Sequence, residues 1–181
     1  MNLIFRLLLT FNATSLLIIL FLIKKQITLI KLWPNYTCLD TLPNEASYLL
    51  YLAVPIALTG LSIYISQWLE KDDFKRGETN SIEHANNSFL PSYLGYFFVA
   101  LSIGNGETLL FVYGILFVFT FLSQALYFNP LFLLFGYEFY NITTKNGAAI
   151  FLISRQKYKT PSDIEIAKAY RINNYTFIER N

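Results

Sequence analysis

Side chains that catalyse work in sets, and the ionisable residues of this chain form none. His84 is the sole histidine and Cys38 the sole cysteine in 181 residues. A lone cysteine forms no intramolecular disulfide and no thiolate metal site. A lone histidine, without a second ligand at metal-binding spacing, does not hold zinc. Glu138, Asp163 and Glu165 show no spacing that suggests a paired acid and base, and no glycine-rich loop is present to cradle a phosphate. The residues therefore point to no enzyme activity, no cofactor and no metal.

The remaining polar side chains with a recognisable pattern are basic. Arg155, Lys157 and Lys159 alternate in a short stretch, followed by Arg171, Tyr175 and Phe177. Such a cluster beside a membrane serves anionic lipid headgroups. Alternatively, these six residues make a docking surface for a protein partner, with no direct role in nucleic-acid binding.

The elements that carry these residues follow from composition. The chain is 54% hydrophobic and 14% charged, whereas a soluble domain has roughly a quarter of its residues charged. A bilayer core about 30 Å thick takes roughly 20 apolar residues in a helix. Charge-free windows run from about Leu7 to Ile23, Ser47 to Leu69, Phe89 to Ile103 and Leu109 to Phe128. The expected fold class is an α-helical polytopic membrane protein with four transmembrane helices and a small cytoplasmic β-β-α-β tail. Residues 1–128 then form the membrane region and residues 129–181 the tail domain. The third window, diluted by Pro91, Ser92, Gly95 and Ser102, is the weakest, with a re-entrant segment as the rival reading.

On this reading eleven Lys and Arg residues lie on the side of both termini, against Lys24, Lys25 and Lys31 on the other. The positive-inside rule then places both termini in the cytoplasm of a bacterial inner membrane. Trp33 with Tyr36, and Trp68, stand where interfacial aromatics belong. The outward loop contains Ile27, Leu29, Ile30, Leu32 and Trp33, an apolar stretch suited to sensing the envelope. The window interiors hold no charge, which argues against a coupled transporter. Their largest polar groups are Asn12, Gln67 and Gln124, which suit hydrogen bonds between helices. A pore lined by Asn12, Ser15 and Thr59 is the channel alternative. Ala53 with Ala57, and Ala100 with Gly104, have the small-residue spacing of close helix packing, within one protomer or in a homo-oligomer.

In the tail, Asn146-Gly147 between two strand-like runs reads as a type I′ hairpin. Thr160-Pro161-Ser162-Asp163 reads as the start of a helix reaching about Tyr170. Ile172 to Ile178 alternates as a strand. The segment Glu70 to Ser88 reads as a solvated loop of mixed charge.

Three stretches carry a family resemblance: Asn86-Asn87-Ser88-Phe89-Leu90-Pro91-Ser92-Tyr93-Leu94-Gly95-Tyr96-Phe97-Phe98, then Asn129-Pro130-Leu131 with Gly136-Tyr137, and Ile172-Asn173-Asn174-Tyr175-Thr176-Phe177. With the overall layout, they make the chain resemble the KwaA family, the membrane subunits of the bacterial Kiwa antiphage defence system. The resemblance implies a homo-oligomer, expected to be a tetramer. It implies a sensor of phage attachment that anchors a cytoplasmic DNA-binding effector, the Kiwa subunit KwaB. The alternative class is an immunity or exporter-accessory membrane protein without a signalling role.

Overall fold

The computed structural model describes residues 3–33, 43–87, 90–123 and 129–180. Tyr36, Phe89 and residues 124–128, with Gln124, lie outside the described residues. The first helix, α1, is Leu3–Lys24, followed by a single turn, α2, at Leu29–Leu32. Helix α3, Asn44–Ile65, is prolonged by a 3-10 turn at Ser66–Trp68. Strands β1, Lys71–Phe74, and β2, Thr79–His84, precede α4, Leu90–Ser102, and α5, Gly106–Ser123. A short α6, Leu131–Leu134, leads into β3, Glu138–Thr144, and β4, Ala149–Ser154. Strands β5, Ile166–Arg171, and β6, Thr176–Glu179, complete the chain.

Helix α1 is central, packing on α3, α4 and α5. The expected four-span architecture is corrected here. Among the described residues, two helices are long and apolar enough to cross a membrane, Leu3–Lys24 and Asn44–Trp68. The apolar stretches Tyr93–Ser102 and Gly106–Leu122 are shorter. At 1.5 Å per residue α4 reaches only about 20 Å against the roughly 30 Å of a hydrocarbon core. The turn after it, where the Asn105 side chain accepts the Thr108 N–H at 2.8 Å, prevents its extension.

The second correction concerns the β region. The sheet has six strands in the order β1-β5-β6-β4-β3-β2. All neighbours are antiparallel except β4 and β6. The outermost strands, β1 and β2, are consecutive in sequence. From Phe74 to Thr79 a chain reaches at most about 18 Å, whereas the edges of a flat six-stranded sheet stand about 24 Å apart. The sheet must therefore curl until its edges approach. Phe74 on β1 meets Phe177 on β6 edge to face at 5.1 Å, across the intervening β5. Arg76 Nε donates to the Ser162 carbonyl at 3.2 Å, tying the β1–β2 turn to the segment that precedes β5.

Alternation divides the side chains of this curled sheet between two cores. Tyr140, Ile142, Leu152, Ile166 and Phe177 fill one, with Phe74 and Ile82 against them. Phe139, Phe151, Ile153, Tyr170 and Ile178 face the other way and meet Phe5, Leu9 and Ile63 from the helices. Strands β1 and β2, from the segment between α3 and α4, join one sheet with the strands that follow residue 129.

The Thr160 start signal produces only a 3-10 turn at Pro161–Asp163, and the residues expected to continue it as a helix become β5. Ladder pairing on both sides, Tyr170 with Lys71 and with Ile178, overrides the weak local helix preference. The β3–β4 hairpin forms as expected but with different turn geometry. Only Gly147 has positive φ, +79°, and Gly147 N–H donates to the Thr144 carbonyl while Thr144 N–H donates to that of Ala148, both at 2.9 Å. This is a type I turn closed by a glycine bulge rather than a type I′ turn.

Candidate functional site at the helix–sheet junction

The ends of α1 and α3 share one apolar core with the sheet. Phe5, Leu9 and Ile63 lie among Phe132, Tyr137, Phe139 and Ile153, all at most 8% exposed. Basic side chains fasten helix ends around this core and beyond it. Arg180 Nη1 donates to the Ile63 and Tyr64 carbonyls at 3.0 and 3.2 Å, meeting the negative end of α3. Arg6 Nη2 donates to the Phe121 carbonyl at 2.9 Å, with its guanidinium carbon 4.8 Å from the centre of the Phe121 ring. At the other end of α1, Lys24 Nζ donates to the carbonyls of Leu101 and Ile103. Helix α1 is thus tied to α5 at its start and to α4 at its finish.

Between α1 and α3 lies a buried amide node. Pro55 lies within the continuous helix α3. Asn12 is fully buried and is oriented so that its NH2 donates to the Pro55 carbonyl at 3.1 Å. Its oxygen accepts from the Asn129 amide at 3.0 Å and from the Thr59 hydroxyl at 2.7 Å. The Asn129 amide also reaches the Thr59 hydroxyl at 3.1 Å, and its oxygen accepts the Leu131 N–H at 3.0 Å, starting α6. Asn12 and Thr59 therefore face one another in the interior instead of lining a pore.

Where α3 meets the sheet, a cavity of about 110 Å³ opens between Ile63, Tyr137, Arg155, Gln156, Glu179 and Arg180. The Arg155 guanidinium lies 4.7 Å from the Tyr137 ring centre. Glu179, 5% exposed, is held by the Tyr158 hydroxyl, 3.0 and 2.9 Å from its two oxygens, and by the Ser154 hydroxyl. Burial, then the Glu179 carboxylate, pushes the Tyr158 phenol above its ordinary range. Burial also raises Tyr137, against the opposing influence of Arg155 and Arg180. This cluster positions a buried carboxylate beside two guanidiniums. Among the described residues there is no group of three His, Cys, Asp or Glu side chains that could hold a metal ion.

The residues expected to form a docking surface separate. Arg155 and Arg171 are exposed, the latter with its N–H donating to the Glu70 carbonyl at 2.9 Å. Lys157 Nζ stands 3.8 Å from Glu138, whose other oxygen lies 3.3 Å from His84 Nε2. The same oxygen accepts from the Tyr140 hydroxyl at 2.8 Å. Lys159 is exposed beside Asp163, which accepts its N–H at 3.3 Å. Tyr175 is 61% exposed, but Phe177 is a core residue at 4%. Alternation in the strand shows which neighbours share its face, but not that this face fills the curl.

In the segment expected to face outward, Ile27, Leu29 and Ile30 are half-buried while Leu32 and Trp33 are exposed. The segment is tied to α3: the Tyr51 hydroxyl donates to the Ile27 carbonyl at 3.1 Å and the Leu29 N–H to Ser47 Oγ at 3.3 Å. Ala100 is buried in the α1–α4 contact, whereas Ala53, Ala57 and Gly104 are exposed. The sequence reading missed Tyr137, Glu179, Asn129 and Arg180. Asn129-Pro130 and Gly136-Tyr137 stand in the sequence only among the stretches that carry the family resemblance.

Two helices long and apolar enough to cross a membrane share one core with a curled six-stranded sheet. Residues 5–178 match the family model described as anti-phage protein KwaA, and the chain belongs to that family. Its role therefore lies in antiphage defence. No curated protein and no solved structure matches the chain.

Proposed function

We propose that this chain is the membrane-embedded sensor and scaffold subunit of its antiphage system, without catalytic turnover of its own. The carrying observation is the shared core in which Phe5, Leu9 and Ile63 of the long helices pack with Phe139 and Ile153 of the sheet. A displacement of α1 or α3 in the bilayer reaches the β-module without an intervening flexible linker. Three of the fourteen Lys and Arg residues, Lys24, Lys25 and Lys31, fall at the end of α1 and in the segment before α3, whereas the other eleven fall near the start of α1 or after α3. The positive-inside rule accordingly assigns the sheet and both termini to the cytoplasm of the inner membrane.

The β-module is the anchoring surface for a cytoplasmic effector, the DNA-binding Kiwa subunit. Its exposed Arg171 and Tyr175 and the unpaired sides of β1 and β2 support that assignment. Homo-oligomerisation, as a tetramer, runs through helix faces that the single chain leaves bare. Leu110, Phe111 and Phe119 on α5 are 75%, 73% and 65% exposed, a degree that lipid or a second copy must cover.

The test is cell fractionation combined with phage plating. With both genes present, the effector sediments with membranes and plaques are suppressed. Removing this chain leaves the effector soluble and abolishes protection. An effector that sediments equally without this chain contradicts the anchoring role.

A further inference from the structure

The junction cavity is built for an anion. It is lined by two guanidiniums, Arg155 and Arg180, and one carboxylate, Glu179. That carboxylate is already engaged by Tyr158 and Ser154. Arg155 makes a ring contact with Tyr137 and no ion pair among the described residues. Arg180 uses one guanidinium nitrogen, Nη1, for the α3 carbonyls, leaving its other guanidinium nitrogens without a hydrogen bond among the described residues. Lys157 nearby is different, being paired with Glu138.

Tyr137 supplies an independent sign. It is 3% exposed, yet its hydroxyl has no hydrogen-bond partner among the described residues. Among the described residues no buried side-chain oxygen or nitrogen lacks a partner, so this hydroxyl is not enclosed and is open to a ligand. The phenol stands among the same charged groups that line the cavity, which gives a bound anion a third donor.

The location selects the anion's source. Arg180 grips the last carbonyls of α3, and at that helix end Tyr64 and Trp68, 56% and 68% exposed, stack edge to face at 5.4 Å. Exposed aromatic pairs of this kind mark the headgroup level of a bilayer. The geometry points to a phosphate-binding site in which Arg155, Arg180 and Tyr137 hold the headgroup phosphate of an anionic phospholipid at the cytoplasmic interface. Guanidinium groups match phosphate oxygens through paired N–H donors. A lipid bound there spans the seam between α3 and the β-module, so it stiffens the joint through which the sheet is held. This site rests on the membrane assignment above.

The full-length protein in neutral detergent is titrated with phosphatidylglycerol, phosphatidylcholine or inorganic phosphate while its thermal unfolding is followed, and is separately floated with liposomes. Phosphatidylglycerol raises the native chain's unfolding temperature and phosphatidylcholine does not. Arg155→Gln weakens the phosphatidylglycerol response about ten-fold and Tyr137→Phe several-fold. Lys157→Gln leaves it unchanged. Both affected side chains can change without loss of fold, since one is exposed and the other keeps its ring. An unaltered response in Arg155→Gln overturns the site, as does an equal loss in Lys157→Gln, which would indicate diffuse charge. Stabilisation by inorganic phosphate equal to that by phosphatidylglycerol overturns the lipid assignment in favour of a soluble phosphate ligand. A native chain that fails to float removes the membrane reading itself. Flotation with an unaltered Arg155→Gln removes only the site.

Discussion

Phe119 on α5 leaves 65% of its surface uncovered, while Phe139 on β3 leaves none. The two belong to regions that bury their apolar side chains by different means. The curled sheet has a core on each face, one closed by its own strands and the other by the helices. The helical region instead turns its polar atoms inward. Thr10, Thr14, Ser15, Ser62 and Ser66 bond carbonyls one turn back, and Asn12, Thr59 and Asn129 bond one another. Its outer surface is left to Leu, Phe and Val. Water stabilises the first arrangement and would penalise the second, so the helices require a lipid or protein partner where the sheet does not.

This contrast can be broken by paired substitutions. Phe139→Ala should cost about 3–5 kcal/mol in denaturant unfolding of the purified protein, because a fully buried aromatic is lost. Phe119→Ala should change stability by less than about 0.5 kcal/mol, as expected away from a core. Equal effects would mean that α5 is buried in the isolated protein. Asn12→Ala removes the hydrogen bonds that the side chain makes to Pro55, Thr59 and Asn129 in a buried site and should cost about 1–3 kcal/mol. If it costs nothing, water has replaced the side chain and the node is not dry.

Smaller effects belong to the sheet's turns. Gly147→Val forces a β-branched residue to φ +79° and should cost about 1–2 kcal/mol while leaving the helices inserted. Unaltered circular-dichroism unfolding would show that the turn relaxes freely. Asp163 is held below the usual carboxylate range by the Thr160 backbone N–H first, then by the Thr160 side chain and the Lys159 N–H. A depressed folded-state pKa stabilises above the unfolded value and is lost as pH falls through the folded one. Asp163→Asn should therefore flatten the decline in unfolding temperature below about pH 4. An unchanged acid limb would remove Asp163 from that decline.

Apolar windows in the sequence reveal α1 and α3, because a charge-free run of that length has few other uses. The extent of the β-module was hidden. Lys71-Asp72-Asp73-Phe74 is almost wholly charged and reads as a loop, yet its backbone pairs with β5 and its single aromatic, Phe74, enters the core. Strand pairing between residues a hundred positions apart leaves no local mark in such a segment. Pro161 and Asp163 gave a true start signal, but the sheet claimed what followed. The junction site was legible only as a basic residue, Arg155. Its meaning depends on Tyr137, Glu179 and Arg180, which tertiary structure alone brings together.

The central claim is that the two long helices hold the chain in the inner membrane with the sheet on the cytoplasmic side. Cysteine accessibility addresses it in living cells, in a Cys38→Ser background carrying either Lys31→Cys, in the segment between α1 and α3, or Lys145→Cys, in the β3–β4 turn. A membrane-impermeant maleimide should label the first in cells whose outer membrane alone is opened, and the second only after the inner membrane is lysed. Labelling of both positions before lysis, or of neither, would contradict the account.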